Sequence, residues 1–401
     1  MSYQDVLEEK QRGVRAVYVS SYIPRQCGIA TFTKDLTNAI NELNPEYLAE
    51  IIAVNDRFHD DYNYPWEVKF RINQEDISSY TKAADYINQS SAEIVHIQHE
   101  FGLFGGEQGE YIIPFMSVIQ KPIVVTMHTV LQNPSKKNLE VTKKMADIAE
   151  AFVVISKTAA DRLKDVYKIK NDCKIVVIPH GVFDFPKVDP NKFKARIGLK
   201  NKKVLSSHGL LNPDKGIEYV IKALPKIVKK YPETKYIIVG KTHPMIKKHE
   251  GEKYREMLKS LAKKLKVSRY IVFRNRFMSL ERLIEYIQAA DIYLSLHTKV
   301  DQISSGTLAK AIGAGKVCIS TPYYYAKEVL AEGRGIIVPM KNYRKVAEKV
   351  IDVFRDSEKA NKMREKAYAY GRKMIWSNVA LKYLDLSSII LKNNKKKQRN
   401  N

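Results

Sequence analysis

Cysteine is scarce in this chain of 401 residues: Cys27, Cys173 and Cys318 are far apart and odd in number. That argues against a disulfide framework or a clustered zinc site and fits a reducing compartment. Long apolar runs are missing too. None approaches the roughly eighteen residues of a membrane span, and the opening MSYQDVLEEK lacks the basic-then-apolar order of a secretory leader, so a cytoplasmic protein is expected. No solenoid period occurs. Acid is short relative to base: 44 Asp and Glu against 68 Lys and Arg leave a formal net charge of +24. Such a field favours nucleic acid, acidic lipid or phosphorylated small molecules, without choosing among them.

What is present is an ordinary globular composition, 44% hydrophobic and 28% charged, at a length that suggests two to three domains. Short β-branched and aromatic runs recur between helical patterns: VRAVYVS, AEIIAV, EIVHIQ, PIVVTM, AFVVIS and KIVVIP. Runs of this kind read as buried parallel strands in βαβ units. After the polar, proline-bearing stretch Phe183 to Lys194 the rhythm restarts with KVLSSH, KYIIVG, YIVFRN, DIYLSL, KVCIST and GIIVP. The expectation is α/β, two doubly wound Rossmann-like domains over 1–188 and 189–375, with ligands at the carboxyl ends of strands in a cleft between them. Residues 376–392 read as a terminal helix and 393–401 as a basic disordered tail.

Two segments of the second half carry phosphate chemistry. In SSHGLLNPDKGIEYVIKAL a strand ends at His208 and Gly209 and a helix starts after Lys215-Gly216, so the lysine can meet a phosphate where glycine lets the backbone approach. In DQISSGTLAKAIGAGK, Ser304, Ser305, Gly306 and Thr307 open a helix and offer unpaired N–H groups at the positive end of its dipole. In the first half, SSYIPRQCGIATF places Arg25 and Gly28 at a strand-to-helix turn, a one-glycine variant of a phosphate or sugar loop. HIQHEFGLFGG supplies His96, His99 and Glu100. Three positions apart on a strand, the two histidines face opposite sides and do not share a metal. His128 ends the strand PIVVTMH, where an imidazole can hydrogen-bond a ligand hydroxyl, and His180 ends another.

Taken in order, these landmarks resemble the GT-B fold glycosyltransferases, specifically the large retaining family four that uses nucleotide sugars. The likeness covers nearly the whole chain: the Gly28 loop, His128, VIPHGV, the loop ending in Lys215-Gly216, IIVG at Gly240, RNRF, AADIYLS, AKAIGAGK and the trailing WSNVALKYLDL. The resemblance implies that Lys215 binds the donor diphosphate and that the Ser305 to Thr307 amides cradle it. It also implies that Gly28 is a backbone approach point, that His128 contacts the transferred sugar, and that the segment Arg274 to Phe277, with Arg276 and Phe277, borders the nucleotide base.

Two departures stand out. The family's arginine after the loop glycine is Leu210 here, and its paired glutamates correspond to Gln302 and Lys310. A lysine cannot accept the hydrogen bonds of a ribose diol. His208, Arg276 and Lys310 are therefore candidate replacement donors. The implied reaction is hexosyl transfer, for example mannosyl or glucosyl, from a nucleoside diphosphate sugar to a hydroxyl acceptor, with retention and without metal or other cofactor. Lys215 and the Ser304 to Thr307 helix start would stabilise the departing diphosphate, and Gln302 argues against a carboxylate nucleophile at that position. The expected partners are that donor, a glycan, lipid-linked or small-molecule acceptor, and an anionic membrane surface that would hold the protein peripherally on the inner face. A phosphorylase or sugar-phosphate transferase on the same scaffold is the alternative, and a non-enzymatic nucleic-acid binder, motivated by the net charge of +24, is the remote one. Nucleic acid is not expected as a partner, because the lysines alternate with acids and no recognition motif occurs.

Overall fold

The computed structural model describes residues 13–56, 62–169 and 174–400. The opening segment MSYQDVLEEK and Cys173 lie outside the described residues. The chain divides into two units, Met1–Gly181 with Trp376–Asn401, and Val182–Ile375.

In the first unit, β1 (Ala16–Ser20), β2 (Glu50–Asn55), β3 (Val68–Asn73), β4 (Ile94–His99), β5 (Ile123–Met127), β6 (Ala151–Val154) and β7 (Ile175–Val177) form a parallel sheet in the order β3-β2-β1-β4-β5-β6-β7. The central strands are buried along their length because helices cover both faces, although β4 carries the polar His96, Gln98 and His99 among its apolar residues. The order reverses direction between β1 and β4, so the loops after these two strands flank a topological switch point. The helix α1 (Gly28–Leu43) leaves the loop after β1, with Cys27 capping its first turn through Ala30 N–H. β3 has no counterpart among the runs read from sequence. It is an edge strand whose Lys69, Arg71 and Asn73 face solvent, so it alternates instead of forming a continuous apolar run.

The second unit repeats the plan. β8 (Lys203–His208), β9 (Thr234–Val239), β10 (Ile271–Arg274), β11 (Ile292–Ser295), β12 (Val317–Ser320) and β13 (Ile336–Ile337) are ordered β10-β9-β8-β11-β12-β13. Here the switch lies between β8 and β11. A core of Leu205, Ile238, Leu294 and Ile319 from the strands and Val220, Ile221 and Leu224 from α2 (Ile217–Lys230) holds one helical layer to the sheet. The helix α3 (Gly306–Gly313) enters after β11.

The division between units falls at Gly181/Val182, ahead of the break expected at 188/189. Val182 already belongs to the second unit, because it bridges to Ile375 and donates to the Met374 carbonyl at 2.8 Å. The helix α4 (Trp376–Asn400) packs on the first unit. Its Tyr383 hydroxyl lies 3.2 Å from Thr126 Oγ1, and its Ser387 hydroxyl 2.9 Å from His96 Nε2. The basic tail expected to be disordered continues this helix as far as Asn400. Once a helix is nucleated, Lys, Gln and Arg extend it at little cost. Among the described residues, no helix is long and apolar enough to cross a membrane.

Candidate functional site

The loop after β8 is built around glycines. Gly209 and Gly240 have φ of +112° and +141°, conformations that side chains rarely adopt, and a β-carbon on Gly240 would lie 2.0 Å from the Gly209 carbonyl oxygen. Gly240 therefore supports the loop from beneath. Gly216, left-handed at φ +60°, ends the turn Pro213–Lys215 and starts α2, and a β-carbon there would lie 2.1 Å from the Leu296 carbonyl oxygen. This reversal folds Lys215 back toward β8: a β-carbon on Gly209 would stand 3.5 Å from Lys215 Nζ and 3.2 Å from Thr307 Cγ2. The lysine and the first turn of α3 thus meet at one glycine.

Lys215, His208 and Gly209 line a small cavity together with Ser207, Tyr293, Ser295 and His297. No carboxylate lines it among the described residues, and burial pushes the Lys215 ammonium down to about 8. A desolvated cation without a partnering acid is the electrostatic signature of a site prepared for an anion. Ser305 caps α3, accepting from Leu308 N–H at 3.4 Å, and Gly306 is the first helical residue, so the amides of Gly306 and Thr307 lie at the dipole's positive end. The Tyr293 hydroxyl lies near the Thr307 side chain. His208 Nε2 is sealed in without a hydrogen-bond partner, and burial first, then the Lys310 charge, hold that ring down to about 3.

The other predicted residues of this unit are placed differently. Gln302 donates from Nε2 to the Ser304 carbonyl at 2.9 Å, so its amide braces its own loop. The Lys310 ammonium stands 5.2 Å from the Phe183 ring centre. Arg276 lines an open depression with Arg196, Arg274, Asn275 and Arg282, and Phe277 is 46% exposed; neither Arg276 nor Phe277 lines the Lys215 cavity.

In the first unit, Gly28 opens α1 with nothing within 4 Å of where its β-carbon would be, leaving the backbone approachable. Arg25 is held nearby: it donates from Nη1 to the Val54 carbonyl at 3.1 Å and lies 3.6 Å from Asp56. His128 Nε2 lies 2.9 Å from Gln98 Oε1, which can only accept, so the proton is on Nε2 and Nδ1 is an acceptor. Burial holds the ring neutral, down to about 3, with His180 and His99 adding to the effect. Phe32 of α1 meets His128, His180 and Trp376 edge-on at 4.8, 5.2 and 5.3 Å. Glu100, just past β4, accepts from Thr129 Oγ1 at 2.5 Å, and burial raises its carboxyl above the usual range. His96 stacks on Tyr18 and His99 packs against Phe101 and Phe104, both as core residues.

Sequence reasoning missed His297, which is 5% exposed and lies two residues beyond the end of β11. A strand-end histidine was a visible signal. Its importance depends on β11 lying beside β8, and only the assembled sheet shows that order.

Residues 189–370 match the family model described as Glycosyl transferases group 1, and residues 28–183 match Glycosyltransferase Family 4. No curated protein matches the sequence. Among solved structures, a glycosyltransferase from Rickettsia africae is 18% identical at a TM-score of 0.74, over 95% of this chain and 100% of that one. Anabaena HepE in complex with UDP is 15% identical at 0.74, over 94% and 100%. Sucrose-phosphate synthase from Thermosynechococcus elongatus is 15% identical at 0.76, over 94% and 100%.

Proposed function

Because the chain belongs to the GT-B glycosyltransferases of the family-four type, we propose that it moves a hexosyl group from a nucleoside diphosphate sugar to a hydroxyl acceptor, with retention and without a metal. The observation that carries this reading is the meeting of Lys215 and Thr307 at Gly209, in a cavity lined by no carboxylate among the described residues. Transfer at an anomeric carbon leaves cationic character on the sugar and negative charge on the departing diphosphate. A fixed ammonium, the amides that open α3 and the dipole behind them stabilise that charge where it develops. They need no reorganisation during the step, and desolvation strengthens each of them.

His128 suits a different role. A ring held neutral, with its proton fixed on Nε2 by Gln98, offers a defined pattern to a sugar hydroxyl and does not compete for the leaving group's charge. The Gln302 amide nitrogen donates to Ser304, and an uncharged amide lacks the negative charge of a carboxylate nucleophile, so this reading gives it no nucleophilic role. Glu100, with its raised carboxyl, is suited to accept a proton from an acceptor hydroxyl.

A panel of nucleoside diphosphates and their sugars, followed by thermal shift, tests the proposal. UDP and UDP-glucose head it because HepE structures carry them. A donor present at a hundred times its Kd stabilises the fold by about 2.7 kcal/mol. One observation favours a second reading: Lys310, in the second turn of α3, is a cation beside Phe183 and cannot serve as an acceptor for a ribose diol. A phosphorylase or sugar-phosphate transferase would respond to inorganic phosphate and to no nucleotide in the panel.

A further inference from the structure

The charge in the Lys215 cavity is out of balance with the ligand proposed for it. A leaving diphosphate carries more than one negative charge, whereas the cavity holds one ammonium. Its two serine hydroxyls are already engaged: Ser207 donates to the Leu294 carbonyl at 2.7 Å, and Ser295 Oγ lies 2.8 Å from the Tyr323 hydroxyl. The side chains left that can gain positive charge are the two imidazoles, His208 and His297.

They are not equivalent. His208 has a ring nitrogen sealed from solvent without a partner, lies under Tyr293 at 5.4 Å, and is opposed by the Lys310 charge. His297 sits just beyond β11 at the switch point, its carbonyl held by Thr321 Oγ1 at 2.6 Å and its ring edge-on to Tyr323 at 4.9 Å. Neither of its ring nitrogens is among the sealed, unpartnered ones.

We propose that His297 is the second cation of this cavity, taking a proton from solvent as the diphosphate arrives and donating it as an N–H to a phosphate oxygen. The proposal rests on the donor reading above. Balance is simple: neutral imidazole, anion and one solvent proton give an imidazolium hydrogen-bonded to the anion, with no covalent bond changed. Burial first and the Lys215 charge second hold His297 well below the usual imidazole range. An anion placed between the ring and the ammonium reverses the field of that neighbour. The charged neighbour of the ring is Lys215; Asp214, in the same 213–215 turn, is bound by Lys299 at 2.8 Å. Tyr323 is protonated throughout, its hydroxyl pushed up to about 12 by burial. Lys299 and Asp301 belong to the same loop as His297.

The test is calorimetric titration of the full chain with inorganic pyrophosphate at pH 6.5, in two buffers of different ionisation enthalpy. At this pH Lys215 is already protonated, since its value is about 8, so it adds little to the exchange. The ligand's own titration cancels between variants. The wild type should take up about one proton more than His297→Gln, and His297→Gln should bind about tenfold more weakly. His208→Gln should keep the uptake. Equal uptake in wild type and His297→Gln, or loss of uptake in His208→Gln alone, overturns the assignment to His297 and leaves the donor reading standing. Failure of the wild type to bind pyrophosphate or any nucleoside diphosphate overturns the donor reading itself. If His297→Gln does not fold, histidine-labelled wild-type protein gives the answer by NMR. One imidazole should move to its protonated shift on adding pyrophosphate, and no movement refutes the proposal.

Discussion

The α-carbon of Gly240 faces the carbonyl oxygen of Gly209 so closely that a β-carbon would come within 2.0 Å of it. Backbone cannot yield as a flexible side chain can. Gly240→Ala should therefore cost about 2 kcal/mol or more and displace the loop after β8. At Gly209 the added methyl meets Thr307 Cγ2 at 3.2 Å and Lys215 Nζ at 3.5 Å, softer neighbours in a less crowded place. Gly209→Ala should cost less stability while weakening diphosphate binding. Urea denaturation and calorimetry on the two variants separate these outcomes, and a milder effect at Gly240 would contradict the argument.

The role proposed for Lys215 sets a pH dependence for donor binding. Burial depresses the lysine's value to about 8, so the charged form proposed to hold the anion is present below that pH and lost above it. Affinity for pyrophosphate should fall by up to about tenfold per unit above pH 8. Lys215→Arg keeps its charge and should show a flat profile over the same range. Folding runs the other way. The unfolded lysine binds its proton more tightly, so the burial cost is carried below pH 8 and relieved between pH 8 and the ordinary lysine value. A flat wild-type affinity profile would sink this prediction.

Ser305 links the stability of α3 to the anion site proposed at its start. Its hydroxyl accepts from Leu308 N–H, and replacing it with alanine should cost about 1 kcal/mol through the lost cap. The same substitution loosens the amides of Gly306 and Thr307, so diphosphate affinity should fall with it. Ser305→Asp restores the cap but adds a like charge to the anion. It should recover thermal stability and not affinity, as melting curves and titrations on the two variants would show.

Trp376 lies flat on Gly181, where a β-carbon would meet its ring at 2.1 Å. Gly181→Ala should push α4 off the first unit and cost about 1–3 kcal/mol. Hydrogen exchange should then rise along Trp376 to Ser387, the stretch whose Tyr383 and Ser387 bond Thr126 and His96. Unchanged protection of that stretch would count against the packing argument.

The legibility of the sequence varied with the kind of information each residue carries. Buried parallel strands announce themselves as apolar runs, and both sheets were readable on that basis apart from β3, whose edge position makes it alternate. Glycines that meet strand ends pointed to Gly209, Lys215 and the α3 start, because loop chemistry there is local. Gly240 was legible as special, but its support of a neighbouring loop was not, because that support follows from strand order. The same holds for His297, which depends on β11 lying beside β8. Gln302 has an amide whose target is a carbonyl two residues away, and residue type alone cannot disclose which way a side chain turns.

The central claim is that Lys215, held against Gly209 and Thr307, grips a leaving diphosphate. Its most direct test is titration of wild type and Lys215→Ala with the nucleoside diphosphate that gives the largest thermal shift, alongside circular dichroism of both proteins. The account predicts tight binding to the wild type, a loss of about a hundredfold or more in the variant, and superimposable spectra. Equal affinity in the two proteins would contradict it.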